Sequence, residues 1–277
     1  MPRKLYGFDE DGNKIVVGKY RPAISTTLND NEWDVIHDVA QDGNASQYWS
    51  VGDYKEVTVI RGTVDQMTIN YGVYRAVIIG INHNPTYENP YSIDFCIGQD
   101  STGKEICFRG STGVRMNTSH ITTGGWTGSA MYTTYLPQFY NLLVDNRGLQ
   151  EAMIAPRKYT HNYTGGIDNA TEERVTLSED PRYKMFLMSE FEIFGSRSYA
   201  STYERNKQAQ YAYYSSSGLA KSKIRYGTET GVANYWWERS AYCNSSYTNA
   251  FCGVGSGGGA DGGSAGDARG LCPCFRV

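Results

Sequence analysis

Short apolar segments of strand length recur along nearly the whole chain, and two stretches with helical spacing interrupt them. The strand-like segments cover 57–60, 74–81, 93–96, 106–108, 152–159 and 183–189. Apolar residues spaced three and four apart predict one helix near 30–41, after an Asn- and Asp-rich cap, and a second helix near 129–145. The sequence shows no repeat of roughly 20–50 residues, which excludes propellers and solenoids. The pattern predicts an α+β fold with a twisted mixed or antiparallel sheet, two main helices and long loops.

A small N-terminal piece precedes this pattern. Asp11 and Gly12 lie between two apolar stretches, and this dipeptide is a strong signal for a tight β-hairpin turn. No long linker divides the rest of the chain. We therefore expect an attachment arm over 1–25 and a single domain over 26–277. Because a lone hairpin is marginally stable in water, the arm is expected to pack on another surface.

Charge and hydropathy exclude two classes of partner. The net charge is −3, with charged residues at 20%, so no basic surface is expected to bind nucleic acid. The chain has no apolar run near the ~20 residues that a membrane span requires, so membrane insertion is not expected. The first residues lack the apolar core of a secretory signal peptide, and we expect synthesis in a cytoplasm.

Residue types that carry catalysis or bind metals lack the required spacing. The six cysteines are too few for a disulfide scaffold, and Cys272-Pro273-Cys274 lacks the second ligand pair of a structural zinc site. The four histidines are isolated, and no nucleophile elbow, phosphate-binding loop or dinucleotide fingerprint is present. Asp261 and Asp267 alone do not form a calcium cage. The sequence predicts no catalytic residue, no metal and no cofactor.

The stretch 241–268 has the composition of a binding surface. Tyrosine supplies contact area at low entropic cost, while Ser, Gly and Asn adapt their hydrogen bonds to a ligand. The alternative is a flexible surface loop, but the stretch lies between two apolar strands and carries two tyrosines. We predict a solvent-facing recognition surface here, without regular structure between 240 and 270. Its predicted ligand-binding residues are Tyr242, Asn244, Ser245, Ser246, Tyr247, Asn249, Asp261 and Asp267.

Several blocks resemble one family in order and spacing. Trp33-Asp34-Val35-Ile36 and 48–53 resemble its N-terminal signature, and 115–117, 124–126 and 129–131 resemble its central block. The remaining matches are 185–189, 192–195, 235–240, 251–254 and 270–275. The family is a domain abundant in phages and prophages of gut Firmicutes. It is similar to the C-type-lectin fold of formylglycine-generating-enzyme-like proteins and phage tropism determinants. Tyr132 and Glu238 depart from the pattern, which has Arg and Leu there.

The resemblance covers about 28–277 and implies a C-type-lectin-like fold with a packed aromatic centre. It implies a noncatalytic bacteriophage virion protein, a receptor-binding or fibre-tip protein that recognises a bacterial surface protein or glycan. The arm would then bind other virion proteins, in a homo-oligomer for which we favour a trimer. The composition of 241–268, rich in Tyr, Asn, Ser, Gly and Asp, also resembles that of segments diversified by a retroelement. The expected structural core residues are Trp33, Trp49, Trp126, Trp236, Trp237 and Arg239.

Two other functions stay open at this point. The first is a structural role, as a capsid or tail decoration or fibre protein. The second is an oxidase related to formylglycine generation, which uses a cysteine pair and directs attention to Cys272 and Cys274. A reactive cysteine needs nearby positive charge to lower its pKa, and in the local sequence only Arg269 and Arg276 could supply it. Packed, unreactive thiols are the preferred interpretation.

Overall fold

The computed structural model describes residues 3–20, 23–144, 146, 148–161, 170–173, 180, 184–243 and 248–277. The α-helices are α1 (Trp33–Gln41), α2 (Ala45–Tyr48), α3 (Leu136–Tyr140), α4 (Leu149–Ala152) and α5 (Glu190–Phe194). The strands are β1 (Arg3–Phe8), β2 (Lys14–Tyr20), β3 (Tyr54–Val59), β4 (Gly62–Val64), β5 (Met67–Ile69), β6 (Gly72–Ile81), β7 (Ile93–Asp100), β8 (Ile106–Cys107), β9 (Lys158–His161), β10 (Ala170–Glu173), β11 (Met185–Phe186), β12 (Arg225–Gly227), β13 (Ala233–Asn234), β14 (Trp236–Ala241), β15 (Ala250–Val254), β16 (Ala260–Ser264) and β17 (Cys274–Arg276).

The predicted α+β class is confirmed. The largest sheet has the strand order β11-β17-β7-β6-β3, and every pair in it is antiparallel. A single parallel pair, β8 with β12, occurs among the described strands. The helices are short, and no helix of the described residues has the length and apolar character needed to cross a membrane.

Aromatic packing fixes α1 on the large sheet. The ring of Trp33 in α1 lies 5.4 Å from the ring of Phe95 in β7 and 5.6 Å from that of Phe275 in β17, edge to face. The two phenylalanine rings stack at 5.2 Å across the strand pair. Such pairs add to the gain from burial alone. The strand near residue 275 is therefore an integral part of the core.

Two adjacent tryptophans connect the two parts of the core. Successive side chains of a strand point to opposite faces, so Trp237 in β14 packs into the cluster around α1 and Trp236 into a second cluster. The second cluster includes Phe186, Tyr211 and Cys274. Both indole N–H groups donate to backbone carbonyls: Trp236 to Lys223 at 3.0 Å and Trp237 to Val114 at 2.7 Å.

The expectation of irregular structure between 240 and 270 is wrong. Strands β14, β15 and β16 form a three-stranded antiparallel sheet, and β15 is completely buried. The small residues that suggested a loop are sites of close packing by larger side chains. A Cβ added at Gly263 would lie 2.4 Å from the guanidinium of Arg269, and one at Gly262 would lie 2.5 Å from the ring of Tyr242.

Other predicted elements differ in extent. The helix expected near 129–145 is a π-helical turn over Met131–Tyr135, then α3, then a 3-10 turn over Asn141–Leu143. The strand expected over 183–189 pairs only at Met185–Phe186, because Ser189 begins α5 through a capping box with Glu192. Within 152–159, the chain leaves α4 and begins β9 only at Lys158. The further 3-10 turns cover Leu28–Asp30 and Glu204–Asn206.

The N-terminal residues form a hairpin. β1 and β2 pair with each other in a two-stranded sheet that contains no other described strand. At its turn, Oδ1 of Asp9 accepts hydrogen bonds from the backbone N–H groups of Asp11 and Asn13. Gly12 has a φ of 79°, which favours glycine. Ile24 and Ser25, which the predicted boundary assigns to the arm, contact the domain: Ser25 accepts a hydrogen bond from the Trp49 indole at 3.0 Å.

Candidate ligand-binding surface

The predicted binding residues lie on or beside the sheet β14–β16. Tyr242 directly follows β14, Asn249 directly precedes β15, Asp261 lies in β16, and Asp267 lies in the turn that follows it. Residues 244–247, which hold the predicted Asn244, Ser245, Ser246 and Tyr247, lie outside the described residues. The chain thus places the four described residues around one small sheet.

Tyr242 lies half-buried at the end of β14. Its ring stacks on that of Tyr199 at 4.9 Å and packs over Gly262. Its backbone N–H donates to the carbonyl of Ala250 at 3.0 Å, which continues the β14–β15 pairing. These contacts hold the ring in one position. A side chain that is already fixed loses little conformational entropy when a ligand binds.

Asn249 belongs to a small polar cluster. Its Nδ2 donates to Oγ of Ser264 at 3.4 Å, and Ser264 Oγ is also hydrogen-bonded to Nδ1 of the exposed His120. Nearby, Oγ1 of Thr122 donates to the carbonyl of Thr248 at 2.5 Å. Sequence analysis missed His120, because no motif links it to residues so far along the chain.

A cleft opens next to this sheet. It has a volume of about 160 Å³ and is lined by Arg109, Asn234, Tyr235, Asp267, Ala268 and Arg269. Asp267 is exposed, and its Oδ2 accepts the backbone N–H of Ser264 at 3.0 Å. The predicted Asp261 is instead engaged in an ion pair, because its Oδ2 lies 2.7 Å from Nη1 of Arg269. One predicted aspartate therefore lines the cleft, and the other positions an arginine that lines it.

Arg269 forms the base of the cleft. Its Nη2 donates to the carbonyl of Gly262 at 2.8 Å, and its guanidinium lies 5.1 Å from the ring of Tyr235 and 4.7 Å from that of Trp237. Cation–π contacts of this kind contribute about 0.5–2 kcal/mol. The contacts with Asp261, Gly262 and Trp237 hold the guanidinium in place. Arg269 therefore forms a fixed neighbour for Tyr235, which is 47% exposed.

Arg109 is the second arginine of the cleft. Its Nη1 donates to the carbonyl of Ala268, and its backbone N–H donates to Oγ1 of Thr228 at 3.2 Å. It forms no ion pair with a carboxylate of the described residues. Sequence analysis missed Arg109, Asn234 and Tyr235 as surface residues, since they meet only through the tertiary fold.

The six expected core residues are all in the interior, with exposures of 2% or less: Trp33, Trp49, Trp126, Trp236, Trp237 and Arg239. Arg239 donates to the carbonyls of Leu187 at 2.9 Å and Tyr159 at 3.1 Å, and it forms an ion pair with Glu192. These residues are buried and do not contribute to the exposed surface.

Three buried side chains could in principle hold a metal ion. The ligand atoms of His83, Glu88 and Glu192 all lie within 4.8 Å of one another. Nζ of Lys158, however, lies 2.7 Å from Glu88 and 3.2 Å from Glu192. An ammonium group thus takes the position of a cation among these carboxylates, and the set fits an internal ion pair better than a metal site.

The same network extends to the end of the sheet. Nε of Arg276 in β17 lies 2.5 Å from Asp94 in β7, and Arg276 also pairs with Glu88. Burial alone would raise the pKa of Asp94, but the charges of Arg276 and Lys158 outweigh it and hold that pKa well below its usual range. Glu192 follows the same rule, and the charges of Arg239 and Lys158 lower its pKa to about 2. All these carboxyl groups belong to the scaffold.

The cysteine pair considered for oxidase chemistry is deeply buried. Cys272 and Cys274 are 1% and 0% exposed, and burial raises the pKa of both thiols well above the usual range. A thiol held protonated is a poor nucleophile. All six cysteines are free thiols.

Glu238 is a buried carboxyl group. It is 0% exposed, and neither carboxyl oxygen has a hydrogen-bond partner among the residues that the structure describes. Burial raises its pKa well above the usual range, and the nearby charges of Glu190 and Glu204 raise it further. Glu238 is therefore a buried acid whose surroundings favour the protonated form.

Comparison with known proteins adds one match. Residues 110–277 match the family described as a domain of unknown function, DUF6273. The matched segment contains the sheet β14–β16 and every lining residue of the cleft except Arg109. Neither the curated proteins nor the solved structures gave a match.

Proposed function

The chain belongs to the DUF6273 family, and we propose that it is a noncatalytic recognition protein with a C-type-lectin-like fold. The observation that carries this proposal is the cleft lined by Arg109 and Arg269, where Tyr235 is half exposed beside the sheet β14–β16. A recognition site combines rigid aromatic contact area with a few oriented polar groups, and this cleft offers both.

The arrangement of the sheets supports the C-type-lectin-like fold. β17 lies between β11 and β7, so a strand late in the sequence closes the main sheet. Helix α1 packs on that sheet, and the separate sheet β14–β16 carries the variable-looking stretch. These structural features support the same fold as the sequence blocks that resemble the phage and prophage domain family.

Burial of the reactive groups supports a noncatalytic role. The carboxylates, lysine and arginines with the strongest mutual contacts are locked in the core network, and the thiols of Cys272 and Cys274 are held protonated. The cleft is lined by arginine, asparagine, tyrosine and aspartate side chains, which can contact a ligand through hydrogen bonds and an aromatic face.

In this proposal the protein is carried on a bacteriophage particle and recognises a ligand on the host surface. The support is the resemblance of the sequence blocks, together with an N-terminal hairpin that forms its own sheet and is suited to docking. Through that arm the chain binds other virion proteins, as a homo-oligomer for which a trimer is favoured. Several cleft copies would then strengthen weak individual contacts.

A cell-binding assay tests the proposal. Fluorescently labelled full chain is titrated onto a panel of gut Firmicutes strains, and binding is measured by flow cytometry. We expect saturable binding to some strains, strong loss with Tyr235→Ala, and no change with Tyr203→Ala, a tyrosine of matched exposure (49% against 47%) that does not line the cleft. Binding to no strain would contradict recognition of the host surface, and equal binding by both variants would contradict the assigned surface.

A further inference from the structure

We infer that the cleft binds one neutral sugar ring, a hexose unit of a surface glycan, without a metal ion. This inference rests on the proposed recognition function and adds the ligand class. It follows from three properties of the cleft: an open aromatic ring, a mixed set of hydrogen-bonding groups, and a balanced charge.

Tyr235 supplies a platform for a ring. The cation of Arg269 lies 5.1 Å from its ring centre, and 47% of the residue remains exposed. The electron-rich ring face attracts weakly positive C–H groups, and a hexose presents such groups on one of its faces. The backbone carbonyl of Tyr235 accepts a hydrogen bond from Gly270 at 2.8 Å, so the platform is fixed relative to the cleft.

The polar lining offers donors and acceptors together. Arg109 uses one of its five N–H groups on Ala268, and the rest have no protein partner among the described residues. Nδ2 of Asn234 is bound to Thr230 and to the carbonyl of Val232, which leaves its Oδ1 to accept. Oδ1 of Asp267 is also unbound by described groups. Each sugar hydroxyl donates and accepts, so neighbouring hydroxyls need this mixture.

The charges in the cleft and directly behind it cancel, because Asp261, outside the lining, pairs with the lining residue Arg269. Arg269 is paired with Asp261, and Arg109 stands in the same cleft as Asp267. A phosphate or carboxylate ligand would meet Asp267 as a like charge, which favours an uncharged ligand. The volume of about 160 Å³ is below the range of about 300–1,000 Å³ typical of drug-sized ligands, so it suits a single ring.

Saturation-transfer NMR with the full chain tests the sugar class. The probes are the methyl glycosides of glucose, galactose, mannose and N-acetylglucosamine, with methyl glucuronide as the acidic comparison, all in EDTA. We expect transfer to ring protons of at least one neutral glycoside, and roughly tenfold weaker binding with Tyr235→Ala and with Asp267→Asn. Tyr203→Ala is expected to bind as the native chain does. Thermal melts of all variants verify folding, and the exposed Asp267 is the safer substitution.

The inference is overturned if no neutral glycoside shows transfer, if the acidic one binds better, or if both cleft variants bind normally. Treatment of host cells separates the inference from the proposed function. Periodate, which destroys sugar rings, is expected to abolish cell binding, while protease is expected to leave it. The reverse result identifies a protein partner and overturns the sugar assignment, although the recognition role stands. Absence of cell binding with intact glycoside binding would overturn only the host-surface role.

Discussion

Nζ of Lys158 lies 2.7 Å from Oε2 of Glu88, and each side chain is 1% exposed. Three cations, Lys158, Arg239 and Arg276, and three carboxylates, Glu88, Asp94 and Glu192, meet in this network. Their charges cancel, which explains how a protein core accommodates six ionised groups. The network joins β7, β9, β14, α5 and β17, so it connects the main sheet to the sheet β14–β16.

Replacing Lys158 with Met is expected to lower the free energy of unfolding by about 3–5 kcal/mol, because it leaves buried carboxylates without their cation. Chemical denaturation followed by tryptophan fluorescence measures this value. Lys221→Met, at an exposed position, is the matched control and is expected to change stability by less than about 0.5 kcal/mol. A loss below about 1 kcal/mol for Lys158→Met would show that the network contributes little.

Replacing Glu238 with Leu is expected to stabilise the protein by about 1–4 kcal/mol at neutral pH, since it removes a buried acid that forms no hydrogen bond with the described part of the chain. Glu238→Gln keeps the volume and two unpaired polar atoms, so we expect a smaller gain. Denaturation of the three proteins in the same buffer measures both differences. Destabilisation by Leu would mean that the acid has a stabilising partner.

The pH dependence of stability provides an independent test at Glu238. Its pKa in the folded protein lies above the usual value of 4.5, so the unfolded chain loses this proton first as pH rises. The contribution of Glu238 to the free energy of unfolding is therefore complete below pH 4.5. Above that pH it decreases by about 1.4 kcal/mol per pH unit, until the pH reaches the pKa of the folded protein. We expect this slope to be missing from Glu238→Gln. Identical profiles for the native protein and the variant would exclude a raised pKa.

Replacing Ser189 with Ala is expected to cost about 1–2 kcal/mol. Its Oγ accepts the backbone N–H of Glu192 at 3.1 Å, and the Glu192 carboxylate accepts the Ser189 N–H at 2.9 Å. This capping box begins a helix of only five residues, which has few other hydrogen bonds. Ser216→Ala, at an exposed position, is the control for urea denaturation. Equal midpoints for the two variants would contradict the role of the cap.

Local patterns predicted the α+β class and α1, because apolar spacing is a direct consequence of which face is buried. The same patterns failed at β15 and β16, where glycines indicated a loop. Those glycines make room for Arg269 and Tyr242, side chains from other segments, and a local pattern carries no record of such neighbours. For the same reason Tyr235 and Arg109 could not be joined into one cleft before the fold was known. Asp267 could be predicted as a surface residue, because the composition of the stretch 241–268 that contains it is typical of binding surfaces.

The boundary of the arm leads to the final prediction. β1 and β2 pair only with each other among the described strands, while Ser25 belongs to the domain. Its carbonyl accepts hydrogen bonds from the Trp49 indole and from Nδ2 of Asn31, both at 3.0 Å. Removal of residues 1–22 is expected to leave the melting temperature of the domain unchanged. Removal of 1–25 also deletes the acceptor of a buried indole N–H, which costs about 1–3 kcal/mol.

Sedimentation of both shortened chains beside the full chain tests the role of the arm in assembly. If the hairpin docks onto neighbouring chains, both shortened forms sediment as a smaller species than the full chain and no longer load onto the particle. The chain without 1–22 is the decisive form, because its domain contacts are intact and a change in sedimentation cannot arise from a weakened fold. Equal sedimentation and equal particle loading of that form and the full chain would show that assembly depends on the domain and not on the arm.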